Sequence, residues 1–407
     1  MVGTLRSVLR FKRPEFHPVS RRIDRSINVA DMRRISRRRL PRGVFDYIDG
    51  GAEDERSLAA NTDSFAATTF RPRVLRDIST IDPSTTLFGR SLPFPLVLSP
   101  TGFTRIADPQ GELAVARAAA RAGVPYSLST LATRSIEEVA AVSDGPKWFQ
   151  VYVWRDRGLV EDLIGRAKAS GYEAIILTVD SVQFGRRERD VRRGFELPPM
   201  IGPGTLLDGM VHPAWTWSFL NSEPIRFANV TGSTIADGAS PVVLADYIHS
   251  QYERNLSWDD IGWLRSAWDG PIVVKGIQTV ADVLLAADHG VDAVALSNHG
   301  GRQLDGAPTP LELVAPARDA VGDRVVLLCD GGVRRGSDIV KAVALGADAC
   351  MAGRAYLYGL GAAGERGVDH VLTMLRDDVE RTMSLIGARS VDELEPDLVQ
   401  LPRDLDR

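Results

Sequence analysis

Of the six histidines in this 407-residue chain, His299 stands apart. It follows the apolar run Ala293-Val-Ala-Leu-Ser297 and precedes two glycines, with Arg302 three residues on. An imidazole titrates near neutrality and makes a ready proton acceptor. Asp180 ends a second apolar run, Ala174-Ile-Ile-Leu-Thr-Val-Asp180. A carboxylate of that kind can pair with the imidazolium and raise its basicity. Arg302, with a second arginine such as Arg187, suits a carboxylate, because planar guanidinium groups hold two oxygens at once. Tyr152 and Tyr47 offer hydroxyls to a hydroxyl or carboxylate, although each alone reads equally as core packing with a wet tip. Together these residues point to acid–base chemistry on a small carboxylate. The other five histidines lie off strand ends and read as structural.

A second constellation comes late in the chain. Asp330-Gly-Gly332-Val-Arg334-Arg-Gly336 and Ala352-Gly353-Arg354 each close an apolar run. Glycines bare backbone N–H groups, and arginine pairs with phosphate oxygens. With Gln150, Thr178 and Lys275 at the ends of other apolar runs, the pattern fits a planar cofactor carrying a phosphate tail. Amide and hydroxyl groups would bond its ring edge, and the lysine would stabilise negative charge on it. Reduced flavin mononucleotide (FMN) meets that description.

The elements that must bring these residues together repeat one theme. Eight short apolar runs start at Leu96, Tyr126, Trp148, Ala174, Ile272, Ala293, Val325 and Ala349, and each ends in polar residues or glycine. Uninterrupted apolar runs suit parallel strands buried on both faces. Amphipathic stretches lie between them, such as 111–123, 157–171, 279–290 and 336–347, and several end in glycine. Eight strand–helix units make a (β/α)8 barrel, an α/β fold whose sites lie at the C-terminal ends of the strands. The strand ends then read Thr101 and Gly102, Ser129, Gln150 and Tyr152, Thr178 and Asp180, Lys275, Ser297 and His299, Asp330 to Arg334, and Gly353 with Arg354. The last two ends are where barrels commonly hold phosphate. Gly359-Leu-Gly-Ala-Ala-Gly364 matches a dinucleotide fingerprint but lacks the βαβ frame that gives it meaning.

Residues 1–90 precede the barrel and include a helical piece at 29–55. An insert at about 186–256 separates strands four and five, the barrel spans 91–390, and 391–407 forms a tail. A composition of 44% hydrophobic and 25% charged residues excludes collagen, coiled coil and disordered tails. Cys329 and Cys350 sit in apolar runs and read as reduced core residues of a cytoplasmic protein. No ligand cluster suggests a metal. Net charge is −4, yet residues 1–42 carry 13 basic and 3 acidic residues, leaving −14 for the rest. Aromatic residues are sparse in that arm, which argues against single-stranded nucleic acid.

The motifs SNHGGRQLD (297–305), DGGVRRG (330–336), FQVYV (149–153), LTVD (177–180), VVKG (273–276) and FDYIDGGAEDE (45–55) resemble those of the FMN-dependent L-2-hydroxy acid oxidases and dehydrogenases. That family includes glycolate oxidase, lactate oxidase, mandelate dehydrogenase and flavocytochrome b2. The likeness runs from about residue 28 to 390, with the motifs in the same order. It implies that His299 takes the substrate proton with support from Asp180. Arg302 and Arg187 would bind the carboxylate with help from Tyr47, and Tyr152 the hydroxyl. Lys275 would face the flavin N1/O2 edge. Thr101, Gly102, Ser129, Gln150, Thr178 and Ser297 would meet the ring or ribityl chain. Asp330, Gly332, Arg334, Gly353 and Arg354 would hold ribityl and phosphate. Leu131 stands where glycolate oxidase has Trp, and Gly102 where many oxidases have Ala.

The expected reaction is FMN-dependent oxidation of an L-2-hydroxy acid, foremost L-lactate, to the 2-keto acid. Electrons would pass to a quinone or another acceptor, and the runner-up is a soluble oxidase that releases hydrogen peroxide. A different FMN chemistry, isopentenyl diphosphate isomerisation, has no use for Arg302 and Tyr152. A non-catalytic phosphate-ligand binding barrel has no use for the His299/Asp180/Arg302 set. The insert resembles that of membrane-associated lactate and mandelate dehydrogenases. It crowds Leu206, Leu207, Met210, Val211, Trp215, Trp217, Phe219, Leu220, Ile225 and Phe227 among few charges. Such residues can close over the active site or pack against another subunit; with the basic arm, they also suit peripheral contact with the inner face of the plasma membrane. The resemblance also implies a homo-oligomer, a tetramer.

Overall fold

The structure, a computed structural model, describes residues 15–193, 202–230 and 253–402. Eight strands close into a barrel: β1 (Leu96–Leu98), β2 (Tyr126–Ser129), β3 (Lys147–Val151), β4 (Ala174–Thr178), β5 (Ile272–Ile277), β6 (Ala293–Ser297), β7 (Val326–Asp330) and β8 (Ala349–Ala352). Every neighbouring pair is parallel, and β8 returns to β1. Helices α1 (Pro18–Asp24), α2 (Val29–Arg39), α3 (Arg42–Asp49) and α4 (Arg56–Ala67) precede the barrel. Between strands run α5 (Gly111–Ala122), α6 (Ile136–Ala141), α7 (Arg157–Ala169), α8 (Glu188–Arg193), α9 (Pro203–Met210), α10 (Pro213–Leu220), α11 (Asp260–Ala267), α12 (Val280–Asp288), α13 (Pro310–Val321) and α14 (Gly336–Ala344). Helices α15 (Arg354–Ala363) and α16 (Glu365–Ile386) follow β8.

Side chains alternate between two cores. Val97, Trp148, Ala174, Ile176, Val273, Ala293, Ala295, Leu328, Ala349 and Met351 fill the barrel interior, while Leu96, Leu98, Ile175 and Leu177 face the surrounding helices. The alanines leave room for the Trp148 ring. A hairpin of Thr85–Leu87 and Arg90–Leu92 adds Leu87 and Leu92 to the interior cluster and lays Phe88 against Trp148, with ring centroids 5.6 Å apart. It thereby stoppers the N-terminal mouth. Cys329 and Cys350 are free, buried register partners on β7 and β8.

Local chemistry sets the helix ends. Ser135 with Glu138 and Thr309 with Glu312 form reciprocal capping boxes for α6 and α13. Gly123 and Gly387, in left-handed conformations, end α5 and α16. The helical piece expected over 29–55 is two helices. Pro41 forces Leu40 out of helical geometry, to φ −90° and ψ 144°, and the chain turns there. The Gly359–Gly364 run lies in and at the end of α15, and its glycines serve close packing. A Cβ on Gly359 would stand 2.5 Å from the Gly367 carbonyl oxygen, and one on Gly361 2.4 Å from Ser36 Oγ. Helix α2 therefore lies directly on α15. After α16, Val399–Gln400 pairs antiparallel with Thr69–Phe70.

Candidate active site

A cavity of about 690 Å³ opens at the C-terminal ends of the strands, within the range of ligand pockets. Its lining includes Tyr47, Thr101, Gly102, Ser129, Tyr152, Arg187, Lys275, His299, Arg302, Asp330, Gly332, Arg334, Gly353 and Arg354. The strand register explains the convergence. Ser129 stands beside Gln150, Thr178 beside Lys275, and Ser297 beside Asp330. Gln150, Thr178 and Ser297 are buried within this ring of strand ends and are not part of the cavity lining.

At the reactive end, His299 Nδ1 lies 2.9 Å from Asp180 Oδ1. The carboxylate can only accept, so Nδ1 carries the hydrogen and Nε2 is left as the basic nitrogen. Burial lowers the His299 pKa below its ordinary value. Lys275 and Arg187 push the same way, and Asp180 opposes them. Burial alone would raise Asp180, but His299 and Lys275 outweigh it and hold the carboxyl low. His299 has φ +57°, a left-handed backbone that costs a non-glycine residue about 1–3 kcal/mol. Its N–H donates to Ser297 Oγ at 3.0 Å, which helps to hold that conformation. Asp180 approaches β5 so closely that a Cβ on Gly276 would lie 2.7 Å from its own, and β5 bulges there.

Beside this pair, Arg302 Nη1 donates to the carbonyls of Tyr47 (2.8 Å) and Gly50 (2.9 Å), and its guanidinium lies 5.2 Å from the Tyr47 ring centre. Burial, with Arg187 and Arg354 close by, depresses its pKa well below the usual arginine value. Arg187 Nε is buried without a hydrogen-bond acceptor. An anion would relieve both. Burial also raises the Tyr152 hydroxyl, with Asp180 adding to the effect, so it stays protonated as a donor.

Deeper in, Lys275 Nζ bonds Ser297 Oγ at 3.0 Å and Asp330 Oδ2 at 2.9 Å. Asp330 also accepts from Ser99 and Ser297, both at 2.7 Å. Burial alone would lower Lys275, but Asp330 and Asp180 keep it charged.

FMN fits this donor set. Gln150 turns its oxygen to Ser129 Oγ and the Thr130 N–H, leaving buried Nε2 as a donor without a protein partner. Gly332 has φ +87°, and a Cβ there would fall 2.0 Å from the Asn61 carbonyl oxygen, so this wall stays bare backbone. Gly353 caps α15 without a side-chain bond, which leaves a helix N-terminus facing the cavity as an anion site. Arg334 and Arg354 stand at the same end. Arg354 donates to the carbonyls of Ile48 (3.2 Å), Gly300 (2.8 Å) and Gly50 (2.8 Å). Arg334 donates to the Val333 carbonyl and lies over the Tyr358 ring.

Two positioning residues went unassigned in the sequence. Gln303 donates to the carbonyls of Asp180 (2.9 Å) and Gln183 (3.2 Å) and to Ser181 Oγ (3.1 Å), and it accepts from the Gly185 N–H (3.0 Å). It thus ties the loop after β4, which bears Asp180 and Arg187, to the loop bearing His299 and Arg302. Asp49, buried, accepts from Nε and Nη2 of Arg33 (2.6 and 2.7 Å), from Arg189 (3.1 Å) and from the Tyr358 hydroxyl (2.7 Å). It fastens α8 to α3, the helix of Tyr47. The sequence carries one signal for each: a polar residue directly after Arg302, and an acid two residues after Tyr47.

Four of the apolar insert residues turn inward, Ile225 among them, half-buried against the core. Phe227 is buried and stacks on Phe103 with centroids 5.7 Å apart, both in the cavity wall. Trp215 stacks on Phe219 and donates to the Ile106 carbonyl at 2.8 Å, so both rings lie partly inward. Leu206, Leu207, Met210, Val211, Trp217 and Leu220 remain exposed, each by more than 60%.

The sequence profile of the family described as FMN-dependent dehydrogenase matches residues 36–401. A putative L-lactate dehydrogenase of Mycobacterium tuberculosis is 44% identical over 97% of this chain and 94% of its own length. An L-lactate dehydrogenase of Caulobacter vibrioides is 43% identical over 89% and 95%. A crystal structure of the monotopic membrane protein (S)-mandelate dehydrogenase superposes with a TM-score of 0.89 at 40% identity, covering 93% of this chain and all of that one. The chain therefore belongs to the FMN-dependent dehydrogenase family, as an FMN enzyme that oxidises 2-hydroxy acids.

Proposed function

We propose that the substrate is L-lactate, oxidised to its 2-keto acid, and that the enzyme works at a membrane surface and delivers electrons to a lipid quinone. The observation that carries the chemistry is the hydrogen bond from His299 to Asp180, which orients an imidazole that lines one cavity together with Arg302 and Arg187. Arg302 and Arg187 bind the carboxylate, with Tyr47 beside them. Tyr152 donates to the substrate hydroxyl. His299 Nε2 takes the substrate proton, and Asp180 stabilises the imidazolium that forms. Bound FMN supplies the two-electron acceptor. Lys275, kept charged by Asp330, stabilises negative charge at the ring edge. Gln150, Thr178, Ser129, Ser297, Thr101 and Gly102 orient the ring and ribityl chain, and Asp330, Gly332, Arg334, Gly353 and Arg354 hold ribityl and phosphate.

The relatives named as L-lactate dehydrogenases support the substrate. A second reading, an aryl 2-hydroxy acid, is favoured by the apolar wall of Phe103, Leu131, Phe184, Val191 and Phe227 and by the mandelate dehydrogenase likeness. The membrane reading rests on the exposed apolar faces of α9 and α10 and on the monotopic neighbour. No helix among the described residues is long and apolar enough to cross a bilayer, so contact would be peripheral. The test adds L-lactate, and separately (S)-mandelate, to the yellow enzyme without air. Rapid bleaching by lactate at lower concentration supports the first reading, and preference for mandelate replaces it with the second. Fast peroxide release with no reduction of a soluble quinone would make the enzyme an oxidase.

A further inference from the structure

A separate cavity of about 450 Å³ lies away from the active site, between α1, α2 and the turn joining α9 to α10. Six arginines line it, Arg21, Arg22, Arg25, Arg34, Arg38 and Arg39, against one acid, Asp31. Asp31 is already engaged by Arg34 and by the Ile27 N–H at 3.0 Å. Arg22 and Arg39 are half-buried and reach the carbonyls of Ala362 (3.2 Å) and Gly361 (2.8 Å) on α15, with Asp108 3.7 Å from Arg39. Arg21, Arg25 and Arg38 are exposed and make no ion pair among the described residues. Burial and the nearness of Arg39 and Arg21 depress the Arg22 guanidinium. Like charges gathered this closely repel unless an anion sits among them.

The opposite wall is Val211, His212, Pro213 and Ala214. That turn continues the apolar face of α9, where Met210 and Val211 are 73% and 72% exposed. A soluble anion would have no use for such a wall. A phospholipid presents an anionic phosphate and an acyl chain in one molecule, and arginine matches phosphate in paired bonds. We propose that this cavity binds the phosphate-bearing headgroup of an anionic phospholipid, with the exposed face of α9 and α10 lying in the adjoining acyl region. This inference rests on the membrane-surface reading and adds to it a defined headgroup site.

The test uses the full-length FMN-loaded enzyme and sedimentation with vesicles of phosphatidylcholine, with and without phosphatidylglycerol. Arg38→Glu alters the cavity. Arg37→Glu makes the same charge change on the same helix at a residue outside the lining. Each basic residue at an anionic surface contributes about a fivefold gain in affinity, so Arg38→Glu is expected to weaken binding to phosphatidylglycerol vesicles by roughly ten- to thirtyfold. Arg37→Glu should change it far less, and dye-linked turnover should be unaltered in both. Equal losses from the two variants would mean a diffuse positive field and overturn the site. Wild-type binding to both vesicle types with equal affinity would also overturn it, while leaving the membrane reading standing. Binding to neither would overturn both. Thermal stabilisation by inorganic phosphate, sensitive to Arg38→Glu but without vesicle binding, would assign the cavity to a free anion instead.

Discussion

The side-chain amide of Gln303 donates to the backbone carbonyl of Asp180 at 2.9 Å, across 123 positions of sequence. The residue that follows Arg302 therefore also fixes the carboxylate partner of His299. Gln303→Glu keeps an acceptor for the Gly185 N–H but removes the donor to three oxygens. Leaving buried acceptors unpaired costs about 1–3 kcal/mol. Turnover should fall about tenfold or more, with FMN occupancy retained and the substrate KM changed less than kcat. A parallel loss of FMN and of thermal stability, with normal turnover per bound flavin, would mean that Gln303 only supports the fold.

His299 must be neutral to accept a proton, and its pKa is lowered from the ordinary value by burial. Activity should therefore persist on the acid side of the usual histidine range and fall only below it. Asp180→Asn removes the neighbour that favours the imidazolium, so the acid limb of kcat/KM should shift to still lower pH while the plateau drops. His299→Ala should keep FMN and lose turnover by about 10²–10⁴-fold. An acid limb unmoved in the Asp180 variant would show that another group is being titrated.

Arg302 sits half-buried beside Arg187 and Arg354, and among the described residues its hydrogen bonds go to carbonyl oxygens alone. Truncating one partner of a buried charge pair costs about 2–5 kcal/mol. Arg302→Met should accordingly weaken binding of the substrate analogue oxalate by well over tenfold, as measured by perturbation of the flavin spectrum. Unchanged oxalate affinity would move the carboxylate site to Arg187.

Gly332→Ala would place a methyl group 2.0 Å from the Asn61 carbonyl in a left-handed backbone. Overpacking alone costs about 1–3 kcal/mol. The variant should show a lowered melting temperature and reduced FMN retention on dialysis, both read from the same preparation. Full retention at unchanged stability would contradict the bare-backbone cradle.

The barrel was legible because parallel strands buried on both faces leave continuous apolar runs. Those at Tyr126–Ser129 and Ala293–Ser297 coincide with β2 and β6 to the residue. The pocket was legible because strand direction puts every polar terminus at one end. What escaped the sequence were relations that only tertiary contact creates. Gln303 and Asp49 act on partners that are mostly distant in sequence, several of them backbone atoms, and no side-chain pattern announces such partners. Trp215 and Phe227 share the apolar character of Trp217 and Leu220, but the Ile106 carbonyl and the Phe103 ring draw them inward. Composition alone cannot sort one group from the other.

The hairpin lodged against Trp148 has a consequence for traffic. Among the described residues, a barrel corked at its base leaves the strand-end rim, where the cavity lies, as the way in. Whatever reaches His299 must back out along the path by which it came, so an oxidised molecule still on its way out obstructs the next arrival. Phe103, Leu131, Phe184 and Phe227, which line that cavity, then meet molecules moving in both directions and bear on queueing as well as fit.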